Sequence, residues 1–298
     1  MRWPSGSAMD HRVEKGCMPS PELFDSPHGS KELVLEEEQA PSGVKAVVTS
    51  NIEISDGKKG LHELLERNRL WAASIVDTSP YFFYKLSKQQ SPEILWIGCS
   101  DSRVPPNQIL NLKPGEVFVH ANFANEVVHS DMNCLSVIEY AVVHLKVKHI
   151  VVCGHYGCSG VKAALSHQEF GIVDNWIRNI KDLYIEQRKK FGDLGKEEAL
   201  NVLTEANVAK SVYNVCHTRI VQNAWKRGHK VSVHGWCYSI DDGLIRDLNI
   251  CVNDETQVEP IYRRMMQKRT SVMGFDDVAA SKAAEMLFSQ SHGSSTAT

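Results

Sequence analysis

With 298 residues, 42% hydrophobic and 23% charged, the chain has the apolar material for one large domain or two small ones and the composition of a soluble globular protein. A net charge of -3 and a pI near 6.5 do not call for nucleic acid or an anionic membrane as partner, and no apolar run reaches the length of a transmembrane helix.

Residues 1 to 55 are rich in Ser, Pro, Gly and acidic side chains without lasting periodicity, which predicts a flexible arm. Its acids, Glu14, Glu22, Asp25 and the run Glu36 to Glu38 among them, do not suit a mitochondrial presequence. The folded part begins near Gly57, where Leu61, Leu64, Leu65 and Trp71 recur at helical spacing. Pro80 opens a second helix to about Gln90. Two short apolar runs, 93–99 and 115–121, read as buried strands. Residues 131–146 are apolar nearly all round, the mark of a buried helix.

A third strand is expected over 149–154, helices over 171–190 and 196–227, a fourth strand over 230–238 and an edge strand over 243–251. Strands alternating with helices predict an α/β fold, a mainly parallel central sheet flanked by helices. The catalytic domain is expected over 56–255, with an extension over 256–298 that holds one helix at 275–289.

The eight cysteines are Cys17, Cys99, Cys134, Cys153, Cys158, Cys216, Cys237 and Cys251. A chain this long does not need disulfide staples, and no secretory signal is evident. The expectation is a reducing, cytoplasmic setting with most thiols buried as small hydrophobes. Cys153, inside a strand, reads as a core thiol.

Cys99, His155 and Cys158 differ, because each falls at the end of an expected strand, where open α/β sheets gather ligands. Two thiolates and one imidazole form a set that zinc accepts in catalytic sites, with the fourth position open. Asp101 and Arg103 follow the first of them. They form either a carboxylate held by a two-point guanidinium pair or a helix cap beside a solvated arginine, and spacing leaves both open.

The segments CSDSRV at 99–104 and GHYGCSGV at 154–161, joined by PGEVFVHANFANEV and SVIEYAVVHLKVKHIVV, closely resemble the β-class carbonic anhydrases, especially fungal and plant-like members. The resemblance covers roughly residues 57–253. It implies one zinc per chain on Cys99, His155 and Cys158, and an Asp101–Arg103 dyad. It further implies substrate contact by Gln90 and a small apolar pocket of Phe118, Phe123 and Tyr140. In the family a neighbouring subunit completes that pocket, so a homodimer, or dimers paired into a tetramer, is implied. Ala121 stands where the family often has Arg, and Ser159 where it often has Gly.

The implied reaction is reversible hydration of carbon dioxide to bicarbonate and a proton, by hydroxide on zinc attacking CO2. His120 and His129 are candidates for carrying the proton, although each reads first as a surface histidine. Two other readings fit the same residues: a structural zinc domain closed permanently by Asp101, and a bicarbonate-binding sensor or scaffold without turnover. A thiol redox enzyme has less support, because no Cys-x-x-Cys occurs.

Overall fold

The structure is a computed structural model that describes residues 57–191, 194–267 and 271; the arm expected over 1–55 and the helix expected over 275–289 lie outside them. The chain divides into two compact units between His62 and Glu63. Of the first unit, the described residues form the opening turns of α1 (Gly57–Thr78); the sheet and every later helix belong to the second.

After α1 and α2 (Phe82–Lys88) come β1 (Ile94–Cys99), the short α3 (Pro106–Ile109) and β2 (Val117–Asn122). A 3₁₀ turn, Phe123–Asn125, leads to α4 (Met132–Glu139) and β3 (His149–His155). Next are α5 (Ser159–Leu165), α6 (Val173–Trp176), α7 (Arg178–Glu186), α8 (Arg188–Phe191), α9 (Lys196–Cys216) and α10 (Arg219–Lys226). The strands β4 (Ser232–Tyr238) and β5 (Ile245–Val252) and the helix α11 (Val258–Gln267) complete the described chain. The sheet runs β2-β1-β3-β4-β5, with β5 alone antiparallel. The expected mainly parallel sheet is therefore present. No described helix is long and apolar enough to cross a membrane.

Parallel strands covered on both faces must be apolar through their length, and β1 and residues 150–154 of β3 are. Leu95, Ile97, Ile150 and Val152 face the larger core with Val208, Val212 and Val215 of α9. Trp96, Val151 and Cys153, one residue out of phase, face a smaller core with Val104 and Tyr238. At the edge, β5 alternates buried and exposed positions because water covers one of its faces.

Three helix expectations change in detail. The run 131–146 is α-helical only to Glu139 and continues as a π-helix, Tyr140–Leu145, that stops at left-handed Lys146. Apolar spacing does not separate the two windings over so few residues. The helix expected over 171–190 is broken into α6, α7 and α8. At its first break Ile177 turns wholly inward and the Trp176 indole donates to the Phe123 carbonyl at 2.7 Å, so tertiary anchors override propensity. The helix expected over 196–227 divides at Thr218, whose hydroxyl caps α10 by accepting from Val221 N. The sequence reading missed α11, which packs Val258 and Met265 into the larger core.

All seven described cysteines are free. Six are buried, Cys153 as a core thiol, while Cys251 on the edge strand is exposed.

Candidate active site

β1 and β3 pair in parallel as immediate neighbours, which brings their carboxyl ends, and so Cys99 and His155, side by side. Left-handed Gly157 then turns the chain so that Cys158 sits at the entry of α5. The two sulfurs are 3.9 Å apart, and one donor atom from each of Cys99, His155 and Cys158 lies within 4.8 Å of the others. All three residues are buried.

The protons in this cluster are set by its contacts. His155 Nδ1 lies 3.2 Å from the Tyr156 carbonyl, which can only accept, so Nδ1 carries the hydrogen. Nε2 then keeps its lone pair, is buried and has no hydrogen-bond partner. Leaving a buried acceptor unpaired costs about 1–3 kcal/mol, and a cation among the three donors would remove that cost. The hydrogen bond from Cys158 holds the Cys99 thiol far below its ordinary pKa against the opposing effect of burial. The amides of Ala124 and Asp101 add to that effect. The same shared bond, with burial, pushes Cys158 up. Two cysteine sulfurs and one imidazole nitrogen in reach of a single point form a donor set that fits zinc.

The turn Phe123–Asn125 supplies the Ala124 amide. Ala124 and Asn125 both take left-handed backbone, at φ 67° and 49°. That conformation costs roughly 1–2 kcal/mol per non-glycine residue. Full burial of Ala124 and a bond from Asn207 Nδ2 to its carbonyl, 2.9 Å, hold it there. On the other side Gly160 lets the turn approach α5: a Cβ there would fall 2.8 Å from Ala124 Cβ and 2.9 Å from Phe123 Cε1. Tyr156 ties the ligand loop to α9 by donating to Glu205 Oε1 at 2.9 Å in a buried contact. Ala124, Tyr156, Gly160 and Glu205 were not found from the sequence, where only the glycine directly after Ser159 gave a hint.

Asp101 points toward the cluster, with Oδ2 3.8 Å from His155 Nε2. All of its short contacts go to Arg103: Oδ1 accepts from Nε at 2.9 Å and from the backbone N at 3.0 Å, and Oδ2 from Nη2 at 2.8 Å. This bond keeps the carboxyl well below the usual carboxylate range, so it stays ionised. The helix-cap alternative does not describe it, because α3 has no side-chain cap.

The expected pocket residues do not gather at this cluster. Phe118 and Tyr140 meet, ring centroids 5.9 Å apart. In register, however, Phe118 faces Leu95, four residues before Cys99, or about 13 Å back along the strand. Exposed Gln90 precedes β1, also at the amino end of the sheet. Phe123 alone lies near the ligands, against Gly160, and is 38% exposed; Tyr140 is 46% exposed. Ala121 is exposed, and Ser159 begins α5. His129 is a surface histidine, bonded to the Asn214 carbonyl. His120 is not, being 6% exposed with Asn122 Nδ2 at 3.3 Å, and burial lowers its pKa.

A family model described as carbonic anhydrase matches residues 94–245. The chain is 49% identical over 211 residues to a carbonic anhydrase of Emericella nidulans, covering 70% of this chain and 90% of that protein. It is 30% identical to a carbonic anhydrase of Saccharomyces cerevisiae, over 73% of this chain and 100% of that one. Among solved structures, a Coccomyxa β-carbonic anhydrase in complex with acetazolamide superposes with a TM-score of 0.66 at 40% identity, covering 70% of this chain and 94% of that chain. A tetrameric β-carbonic anhydrase of Sordaria macrospora gives 0.62 at 39% identity, covering 65% and 99%.

Proposed function

The chain belongs to the β-class carbonic anhydrases, and from that membership we propose that it interconverts carbon dioxide and bicarbonate at one zinc ion held by Cys99, His155 and Cys158. Zinc supplies Lewis acidity there, lowering the pKa of water to near 7 so that a nucleophile exists close to neutral pH. The rest of the proposed mechanism lies with side chains. Ionised Asp101 accepts a hydrogen bond from the attacking water and orients its lone pair. Arg103 keeps Asp101 in that role and away from the metal. Phe123 covers the approach to the cluster and keeps it apolar, which suits an uncharged linear substrate.

The observation that carries this reading is the Asp101–Arg103 pair. A carboxylate serving as a permanent fourth ligand would turn away from the guanidinium, whereas here each oxygen has a guanidinium hydrogen bond. That supports an open centre over a closed structural one.

Gln90, Phe118 and Tyr140 enter the proposal through a second copy of the chain. They lie toward the amino end of the sheet, so they would complete the centre of a neighbour rather than their own. Exposed side chains of α1 support such assembly: Leu65 is 60% and Leu70 64% exposed, apolar groups left to water in the described chain. We extend the reading to a dimer or a tetramer of such dimers.

The test is stopped-flow CO2 hydration on protein with its zinc content measured in parallel. One zinc per chain and turnover that rises above neutral pH are expected, since two thiolates leave the metal less acidic than three imidazoles. Full zinc without hydration would overturn the assignment.

A further inference from the structure

Ser271 is the last residue that the structure describes, and it is held at the first turns of α9. It is 3% exposed, its backbone N donates to Glu198 Oε1 at 2.7 Å and its hydroxyl donates to Glu205. The chain therefore leaves the described fold beside the start of α9, with residues 272–298 still to follow. A helix is about 10 Å across with its side chains and four extended residues reach about 13 Å, so Phe275 can stand on any side of that start.

The first turns of α9 also wall a cavity of about 560 Å³ that α5, α7 and α8 complete. Leu165, Tyr184, Leu194 and Leu200 line it, each only partly buried although packed on the core beneath. A concave apolar surface of this size marks a place where something binds. Lys162, Lys196 and Glu197 line it too and are exposed, and neither lysine forms an ion pair among the described residues. The catalytic proposal uses none of these side chains.

We propose that residues 275–289 of the same chain dock in this cavity. Phe275, Val278, Ala279, Ala283 and Met286 recur at the spacing of one helix face, which gives the segment an apolar side to lay against Leu165, Tyr184, Leu194 and Leu200. Its acids are Asp276, Asp277 and Glu285 and its one base is Lys282, so it brings a net negative charge to a wall with two lysines and one glutamate. The anchor at Ser271 ties the segment beside the cavity, and so short a tether holds it at an effective concentration that a separate partner must exceed. Docked there, the segment backs α5, at whose entry Cys158 lies.

The test is hydrogen exchange read by mass spectrometry on the full-length protein, paired with lysine cross-linking. Amides of 275–289 are expected to exchange about tenfold or more slowly than those of 292–298. A short amine-reactive cross-linker is expected to join Lys282 to Lys162 or Lys196, in peptides recovered from the monomer band of a denaturing gel. Val278→Asp together with Met286→Asp is expected to remove that protection and that cross-link, and to speed exchange at 162–166 by a few-fold. Both positions lie outside the described core, so the sheet is expected to fold in this variant. Unprotected amides over 275–289, no cross-link from Lys282 to either lysine, or protection and cross-link unchanged in the variant would overturn the inference. The same cross-link recovered only from a dimer band would overturn it in favour of a second copy of the chain.

Discussion

The Asp101 carboxylate takes the Arg103 guanidinium at two points, Nε to Oδ1 at 2.9 Å and Nη2 to Oδ2 at 2.8 Å, while Oδ2 remains 3.8 Å from His155 Nε2. One side chain thus stands between two destinations, and the guanidinium decides which it serves. Arg103→Ala is expected to retain zinc and to lose about 10²–10³-fold in hydration rate, the usual cost of losing one polar group that acts on the transition state. Zinc content and stopped-flow rates on the same sample check this. Wild-type rates in that variant would remove Asp101 from the mechanism.

Cys158→Ser exchanges a soft ligand for a hydroxyl that does not ionise at neutral pH. It is expected to lose most of its zinc and all measurable turnover while keeping its sheet, because Cys158 lies outside β3 at the entry of α5. Elemental analysis and circular dichroism separate the two effects. Full zinc occupancy would show that another residue supplies the third ligand.

Gly160→Ala tests the approach of α5 to the turn at Ala124. The new Cβ would lie under 3 Å from Ala124 Cβ and Phe123 Cε1, and Ala124 has no free space behind it. A loss of about 1–3 kcal/mol in urea unfolding is expected, with weakened zinc binding. Unchanged stability would mean that the turn is softer than its burial indicates.

Leu65→Glu together with Leu70→Glu removes exposed apolar surface from α1, where the two side chains are 60% and 64% exposed and so contribute little to the fold of one chain. Light scattering is expected to show dissociation toward monomers, with turnover lost in proportion while zinc is kept. Active monomers would refute the role proposed for a second copy.

Glu126 also leaves a mark on stability. Its folded-state pKa of about 8 lies above the value of about 4.3 usual for an unfolded chain, so the folded state favours the protonated form. This contribution is therefore fully present below the unfolded pKa, declines as pH rises, and is gone above about 8. The wild-type minus Glu126→Gln difference in unfolding free energy is expected to fall by a few kcal/mol between about pH 4 and pH 8, at roughly 1.4 kcal/mol per unit. A flat difference curve would show that Glu126 is already ionised in the folded protein.

The candidate metal cluster was legible in the sequence because its signal is local. Cys99 and His155 end apolar runs that can only be buried strands, and Cys158 lies within a few residues of His155, so chain order alone brings three donors to one edge of a parallel sheet. Arg103 lies two residues from Asp101, so their pairing was legible too, although the choice between dyad and cap required the bond geometry. The tertiary structure decided what depends on distant segments meeting. Helix breaks at Ile177 and Thr218 arose from an indole anchored to Phe123 and a hydroxyl cap, neither of which alters apolar spacing. The left-handed turn at Ala124 and Asn125 is held by Asn207 of α9, so no nearby residue announces it. Register placed Phe118 about 13 Å back along the sheet from Cys99 of its own chain, because a strand position is fixed by its partner strand and not by its neighbours in sequence. Burial raised the Glu126 carboxyl above its ordinary pKa and made His120 a core residue for the same reason: desolvation depends on what packs around a side chain, and the chain reaches those neighbours only once it is folded.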